Sequence, residues 1–279
     1  MHVLCRSGVI DLLLWYTCLM KQIISTRTYR AMYRLLDRVS PISGDCGRLC
    51  GSICCTIGNT PEIPNYSDNI LLQHIEDVNQ QTPYKMLNTV STDPSDSNED
   101  VLPDEDEEQV LGIYLYPGEE SLFLGQSDSL KCAEDGSPFY CAADGTPLYA
   151  FETEDALDYE YPDSWAGDIW FAHCLCAPHC ERRLRPLQCR FYPACPHIDR
   201  HGELTLIWFP GASAGAEEVP YQCPLIEERM PLNRDFLQAT YTVCRHLMRD
   251  PQIYDLFLFD SRWRRDDPEF DENDLRLFP

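Results

Sequence analysis

A cluster of cysteines near the start of the chain most constrains what it can fold into. Cys46, Cys50, Cys54 and Cys55 lie in the segment DCGRLCGSICC, in which glycines follow the first two cysteines. Several side chains can face one ion only if the backbone turns tightly between them, and glycine adopts the required left-handed conformations without steric cost. A single pair of cysteines would instead be typical of small buried apolar side chains. The cluster therefore predicts a thiolate site.

A second group of cysteines lies far downstream of the first. It occupies HCLCAPHC at residues 173–180 and RPLQCRFYP at residues 185–193, and Cys223 follows within CPL. Thiolates suit zinc, copper(I) and iron–sulfur centres, whereas magnesium and calcium prefer oxygen ligands. A site built from both groups would be complete only in the folded chain, so metal binding would be coupled to folding.

The densest basic run of this acidic chain borders the second cysteine group. It consists of Arg182, Arg183, Arg185 and Arg190. Two interpretations of these arginines remain open. They stabilise nearby thiolates by their charge, as cationic neighbours do, or they pair with carboxylates at the surface.

Fifteen cysteines also raise the question of the redox compartment. A secreted disulfide scaffold normally has a signal peptide and a shorter chain. The apolar stretch at residues 9–20 is interrupted by Asp11, lacks a clear cleavage site and is too short to cross a bilayer as a helix, which takes about 20 residues. The sequence therefore predicts a reducing, cytoplasmic setting. Met20 is an alternative start, which would make residues 1–19 an extension.

Charge and missing motifs exclude several functional classes. The formal net charge of -24 disfavours nucleic acids and anionic membranes as partners, because both are bound through basic residues. The chain also lacks a phosphate-binding GxxxxGK loop, a GxGxxG motif and an HExxH helix. Nothing in the sequence singles out a pair of carboxylates for acid–base catalysis.

The predicted organisation is one domain over residues 20–259 with a disordered acidic insertion at about 60–109 and a charged, loose tail at 260–279. The insertion is predicted from its few aromatic residues and dense negative charge, as in DEDEE at residues 104–108. Patterning within the domain favours an α+β fold with short hairpins and flanking helices. Helices are predicted over 20–38 and 233–249, and strands over 110–116, 121–124, 139–141, 148–151 and 204–209, with a turn at 199–203.

Two of these motifs together resemble the YkgJ-type cysteine-cluster family, described as zinc- or iron-chelating domains. In that family a closely spaced group ending in Cys-Cys is followed by an Arg-Pro-x-x-Cys-Arg-x-Tyr/Phe-Pro element and by a later cysteine. Residues 46–55, residues 185–193 and Cys223 match that order. The chain departs from the pattern because three residues, not two, separate Cys46 from Cys50 and Cys50 from Cys54. It also has Ile53 where a radical S-adenosylmethionine signature would need cysteine.

The resemblance implies a chelating set of Cys46, Cys50, Cys54, Cys55, Cys180, Cys189 and Cys223. Further candidates by position are Cys174, Cys176 and Cys195. His173, His179 and His197 are candidate ligands or neighbours of ligands, although a packed or solvated role is favoured for each. The remaining cysteines are predicted to be incidental or part of the core, namely Cys5, Cys18, Cys132, Cys141 and Cys244.

The sequence thus predicts a metal-chelating protein that holds zinc or iron, with an iron–sulfur cluster as one form of the iron site. The alternative is an enzyme, an iron–sulfur oxidoreductase or a methylase-like protein, that uses the same centre. No cofactor-binding motif supports the alternative. A third hypothesis, a secreted protein stabilised by disulfides, predicts few free thiols.

Overall fold

The computed structural model describes residues 24–44, 46–47, 51–56, 112–125, 130–132, 138–156, 161–176, 182–211 and 223–279. These residues form antiparallel sheets with helices packed around them, so the predicted α+β class is confirmed. The N-terminal extension at 1–19 and the acidic insertion at about 60–109 lie outside the described residues.

The larger sheet has five antiparallel strands in the order β1-β5-β4-β3-β2. They are β1 (Gly112–Tyr114), β2 (Leu130–Cys132), β3 (Pro138–Cys141), β4 (Pro147–Glu154) and β5 (Ile169–Cys174). The predicted β3–β4 hairpin is confirmed, and its turn contains Gly145 at φ 88°. Glycine favours such turns because it reaches positive φ without a steric penalty.

The smaller sheet has three antiparallel strands in the order β6-β7-β8. They are β6 (Ala194–Ile198), β7 (Leu204–Trp208) and β8 (Arg276–Phe278). Every residue of β6 and β7 is buried. The predicted turn at 199–203 joins β6 to β7, and the Asp199 carboxylate stabilises it by accepting the N–H groups of His201 and Glu203, each at 2.9 Å.

Two long helices that pack against this frame were predicted by their apolar spacing. The helix expected over 20–38 is confirmed as α1 (Thr26–Leu36), which begins at the Ser25 cap and buries Tyr29, Met32 and Leu36. The helix expected over 233–249 is confirmed as α6 (Arg234–Leu247). The other helices are α2 (Ile53–Thr56), α3 (Ser121–Leu124), α4 (Leu187–Phe191), α5 (Pro224–Glu227), α7 (Pro251–Asp266) and α8 (Glu272–Leu275).

The strand predicted over residues 121–124 is wrong, because this segment forms the helical turn α3. Leu122 and Phe123 are neighbours and are both buried. A strand would direct one of them away from the core, since successive side chains of a strand point to opposite faces. The N–H groups of Leu122 and Leu124 instead bond back to the carbonyls of Glu119 and Glu120, each at 2.9 Å.

The loose tail predicted from residue 260 onward is also wrong. Helix α7 crosses that boundary and continues to Asp266, while β8 pairs with β7 near the end of the chain. Buried Ser261 donates to the Phe257 carbonyl at 2.6 Å, and buried Arg264 donates to the Pro196 carbonyl at 3.0 Å. Residues 260–279 are therefore part of the folded domain.

The main core unites the larger sheet with α1, α6 and α7. Its fully buried large side chains include Tyr29, Tyr149, Phe236 and Phe257. A smaller apolar cluster around Ile42, Trp208 and Cys223 lies beside the cysteine segments. No helix among the described residues is long and apolar enough to cross a membrane.

Candidate metal centre

Two cysteines of the first predicted segment and the later Cys223 line one small cavity, whereas no described cysteine of residues 173–193 does. Cys46 and Cys54 come from the first segment and Cys223 comes from the chain just before α5. The cavity has a volume of about 20 Å³, and Ser52, Arg185 and Tyr192 also line it. One water-sized particle needs roughly 10–15 Å³, so the cavity has room for one particle of that size.

A tight turn brings Cys46 and Cys54 to the same side. Gly51 and Ser52 have positive φ values of 66° and 62° in succession, and the Ser52 N–H donates to the Gly47 carbonyl at 2.9 Å. A left-handed conformation favours glycine at residue 51 and strains the serine that follows it. Gly51 therefore turns the chain between Cys46 and Cys54, as its position in the sequence predicted.

Hydrogen bonds at the start of α6 join this helix to the chain between α1 and Cys46. The Asn233 backbone N–H donates to the Pro41 carbonyl at 2.8 Å, and its side-chain amide donates to the Ser40 carbonyl at 3.0 Å. Beyond this junction, Cys46 packs on the apolar cluster that contains Cys223. These contacts explain how cysteines far apart in sequence come to line one cavity.

The arginines of the basic run at residues 182–190 make different contacts. Arg190 is fully buried, and its guanidinium donates to Asp37 Oδ1 at 2.7 Å, to the carbonyls of Arg185 and Tyr33 at 2.7 and 3.2 Å, and to the Arg183 carbonyl. It also lies 4.1 Å from the centre of the Tyr33 ring, within range of a cation–π interaction. Arg190 therefore fastens α4 to the end of α1.

Arg182 and Arg185 occupy different surroundings. Arg182 donates to the Arg190 carbonyl at 2.7 Å and to the Val39 carbonyl at 3.4 Å, so it also serves the junction between α4 and the chain after α1. Arg185 is 7% exposed and lines the cavity with the three cysteines. Arg185 thus fits the interpretation of a cation beside thiols, whereas Arg190 pairs with a carboxylate and with backbone carbonyls.

A buried carboxylate that the sequence did not single out organises the same junction. Glu119 accepts the Tyr33 hydroxyl at 2.5 Å, the Leu187 N–H at 2.8 Å and the Tyr116 N–H at 3.1 Å. Burial raises the pKa of Glu119, and these three hydrogen bonds oppose that rise in part. Glu119 therefore links α1 to the first residue of α4, the helix that carries Cys189.

Replacement of Glu119 by glutamine is expected to change how stability depends on pH. Because its pKa is raised in the folded state, Glu119 contributes stability that is full below its ordinary pKa of 4.5 and is lost as pH rises through the folded-state pKa. The wild type should therefore be most stable relative to Glu119→Gln below pH 4.5, with the difference shrinking as the pH rises. Urea unfolding of both proteins across this range measures it, and a difference that grows with pH would contradict the assignment.

Among the described residues, the other predicted ligands do not line the cavity. Cys55 and Cys189 are half-buried and are not among the residues that line it. Cys50 and Cys180 lie outside the described residues. Within the part of the chain that the structure describes, no three His, Cys, Asp or Glu side chains are close enough together to hold a metal ion. Cys46, Cys54 and Cys223 thus surround one cavity without forming a closed ligand set.

The histidines proposed as candidates have other contacts. His173 on β5 pairs with Glu152 at 2.6 Å. His197 on β6 is buried beside Glu272 at 3.3 Å, and burial lowers its pKa to about 4. His179 lies outside the described residues. Both described histidines therefore have packed or paired roles, as favoured by the sequence.

The further candidate cysteines, and those predicted to be incidental or part of the core, also have packed positions where the structure describes their side chains. Cys174 and Cys176 pack against the main core, and Cys195 is buried on β6, where burial raises its pKa to about 11. Cys141 and Cys244 are buried, which confirms their predicted place in the core. Cys5 and Cys18 lie outside the described residues.

The fold and the cavity define the chain as an α+β protein with three cysteines and an arginine around a small enclosed space. No protein-family model matches the chain, and no curated protein or solved structure matches it either. Membership of the YkgJ-type cysteine-cluster family stays a prediction from the motifs.

Proposed function

We propose that this protein chelates one ion of zinc or iron through thiolates of its first cysteine segment and of Cys223. Cys46, Cys54 and Cys223 are the ligands that the cavity favours, and Cys50, which lies between the first two in sequence, is the fourth. The protein works in a reducing, cytoplasmic compartment, where thiols remain available to metals. The observation that carries the proposal is the convergence of distant cysteines on one cavity.

The chemistry of the lining supports a soft or borderline ion. Sulfur is the donor type that zinc and iron accept in Cys-rich sites, with four ligands in tetrahedral arrangement being the usual structural form. The volume of about 20 Å³ suits one ion better than a larger assembly.

Charge balance supports the same assignment. Each thiolate ligand adds a negative charge in a mostly apolar cavity, where an uncompensated charge is unfavourable. A divalent ion offsets two of these charges, and the guanidinium of Arg185 offsets part of the remainder. Because Arg185 is almost fully buried, solvent screens this interaction weakly.

Metal analysis of protein purified without oxygen tests the proposal. We expect about one equivalent of zinc or iron per chain, as in other sites with a single ion. Removal of the metal with a chelator should lower the thermal unfolding midpoint, because the bound ion stabilises only the folded state. A metal-free protein that takes up neither ion and keeps an unchanged unfolding midpoint would contradict the proposal.

A further inference from the structure

A groove separate from the cysteine cavity lies between α1 and α6. It has a volume of about 310 Å³. Apolar side chains of Ala31, Met32, Leu35 and Val243 form much of its lining, and Leu35 is 39% exposed. A concave surface with a mostly apolar lining is typical of a binding site for another molecule.

Arg27 lines this groove, and four further arginines lie near it on α1, on α6 or just after α6. Arg27, Arg30 and Arg34 recur at the spacing i, i+3, i+7 and so lie along one edge of α1. Helix α1 contains no acidic residue. On the other side, Arg245 and Arg249 are close enough to His246 to lower its pKa, in addition to the effect of burial.

The basic border is not neutralised by the rest of the described chain. The five arginines are exposed, and none forms an ion pair with another described residue. His246 lines the groove, and its buried Nδ1 has no hydrogen-bond partner among the described residues. In a chain with a net charge of -24, such a cluster of uncompensated cations is unusual.

We infer that this groove binds an acidic peptide segment of a partner protein that carries an apolar side chain such as leucine. The carboxylates meet the arginines of the border, and the apolar side chain enters the groove beside Leu35 and Met32. A segment of this kind matches both the charge and the apolar lining, in the way that amphipathic segments occupy grooves between helices.

Nucleic acids and anionic membranes fit the groove less well. Both present phosphates without the apolar side chain that the lining of Ala31, Leu35 and Val243 accommodates. Both also extend beyond the groove, so they would meet the field of a strongly acidic chain. A short peptide confined to the groove meets mainly the local basic border.

Fluorescence anisotropy with the full-length protein tests the inference. The probe is a labelled peptide of about twelve residues, rich in glutamate and with leucines at i and i+4. We expect saturable binding that weakens with salt, and a loss of affinity of at least about tenfold in Arg245→Glu/Arg249→Glu. The matched control Arg200→Glu/Arg262→Glu changes net charge equally at exposed arginines outside the groove and should bind within about twofold of the wild type.

Several results would overturn the inference. These are no binding of the peptide, equal losses in both double variants, or undiminished binding after the leucines are replaced by serine. Tighter binding of single-stranded RNA or phosphatidylserine vesicles that depends on Arg245 and Arg249 would assign the groove to a different partner. Binding that appears only after the acids at 104–108 become serine would assign it to the chain itself, and dimerisation that depends on the same arginines would assign it to a second copy.

Discussion

Replacement of Cys46 and Cys223 by serine in one protein is expected to reduce bound metal from about one equivalent per chain to below about a tenth of an equivalent. These two cysteines come from different segments, and both line the cavity. A site that loses one ligand from each segment retains too few thiolates to hold the ion. Metal analysis after anaerobic purification measures the effect.

The matched control for this experiment is Cys176→Ser. Cys176 is half-buried, packs against the main core and does not line the cavity. It therefore tests whether any loss of a cysteine lowers metal content. Equal metal loading in the double variant and the wild type would show that the ligands lie elsewhere, and equal losses in both variants would show that the effect is not specific to the cavity.

Replacement of Arg190 by alanine is expected to lower the free energy of unfolding by about 4 kcal/mol, as typically follows when a buried charged group with several partners is removed. The change leaves the Arg185 carbonyl without its guanidinium donor and removes the pairing with Asp37. It also opens a cavity beside the Tyr33 ring. Urea unfolding at pH 7 measures the loss.

Two further variants make this result specific. Arg190→Lys retains the charge but not the forked guanidinium, so it should recover only part of the lost stability. Arg200→Ala, at an exposed position, should stay within about 0.5 kcal/mol of the wild type. A loss below about 1 kcal/mol in Arg190→Ala would contradict the role assigned to this side chain.

Local signals in the sequence predicted much of the frame. The hairpins formed where strand-forming residues flank compact polar turns, as at Asp199 and Gly145, because such turns are determined by a few adjacent residues. Helices α1 and α6 were predicted from apolar spacing, which reports directly which face is buried. These elements need little information from distant parts of the chain.

Helix α7 was not predicted from the sequence. It begins at a proline, a residue that can either follow the end of one helix or start the next. Pro251 lies just beyond the helix predicted over 233–249 and occupies the first turn of α7, where its missing N–H is not needed. The Asp250 side chain caps this helix by accepting the Gln252 N–H at 3.1 Å. The Asp-Pro pair after α6 thus indicates the start of another helix. The mixed charge of the following residues made the buried face of α7 hard to recognise in the sequence.

The cysteines that line the cavity could be chosen from the sequence, but the contacts that hold the surrounding elements together could not. Cys46 and Cys54 were candidates because of their close spacing in the sequence. Cys223 was a candidate because of the family resemblance. The junction of Glu119, Tyr33 and Arg190 depends on contacts between residues far apart in the chain, and a single glutamate among many has no local signature. Its burial follows from tertiary packing alone.

X-ray absorption spectroscopy of the metal-loaded protein tests the central claim most directly, because it counts the sulfur ligands and their distances. We expect three or four sulfur atoms at about 2.3 Å from a single zinc ion or at a similar distance from iron, without scattering from a second metal. The Cys46→Ser/Cys223→Ser protein should lack this signal. A first shell of only nitrogen and oxygen at about 2.0 Å, or a clear metal–metal distance, would contradict a thiolate site for one ion.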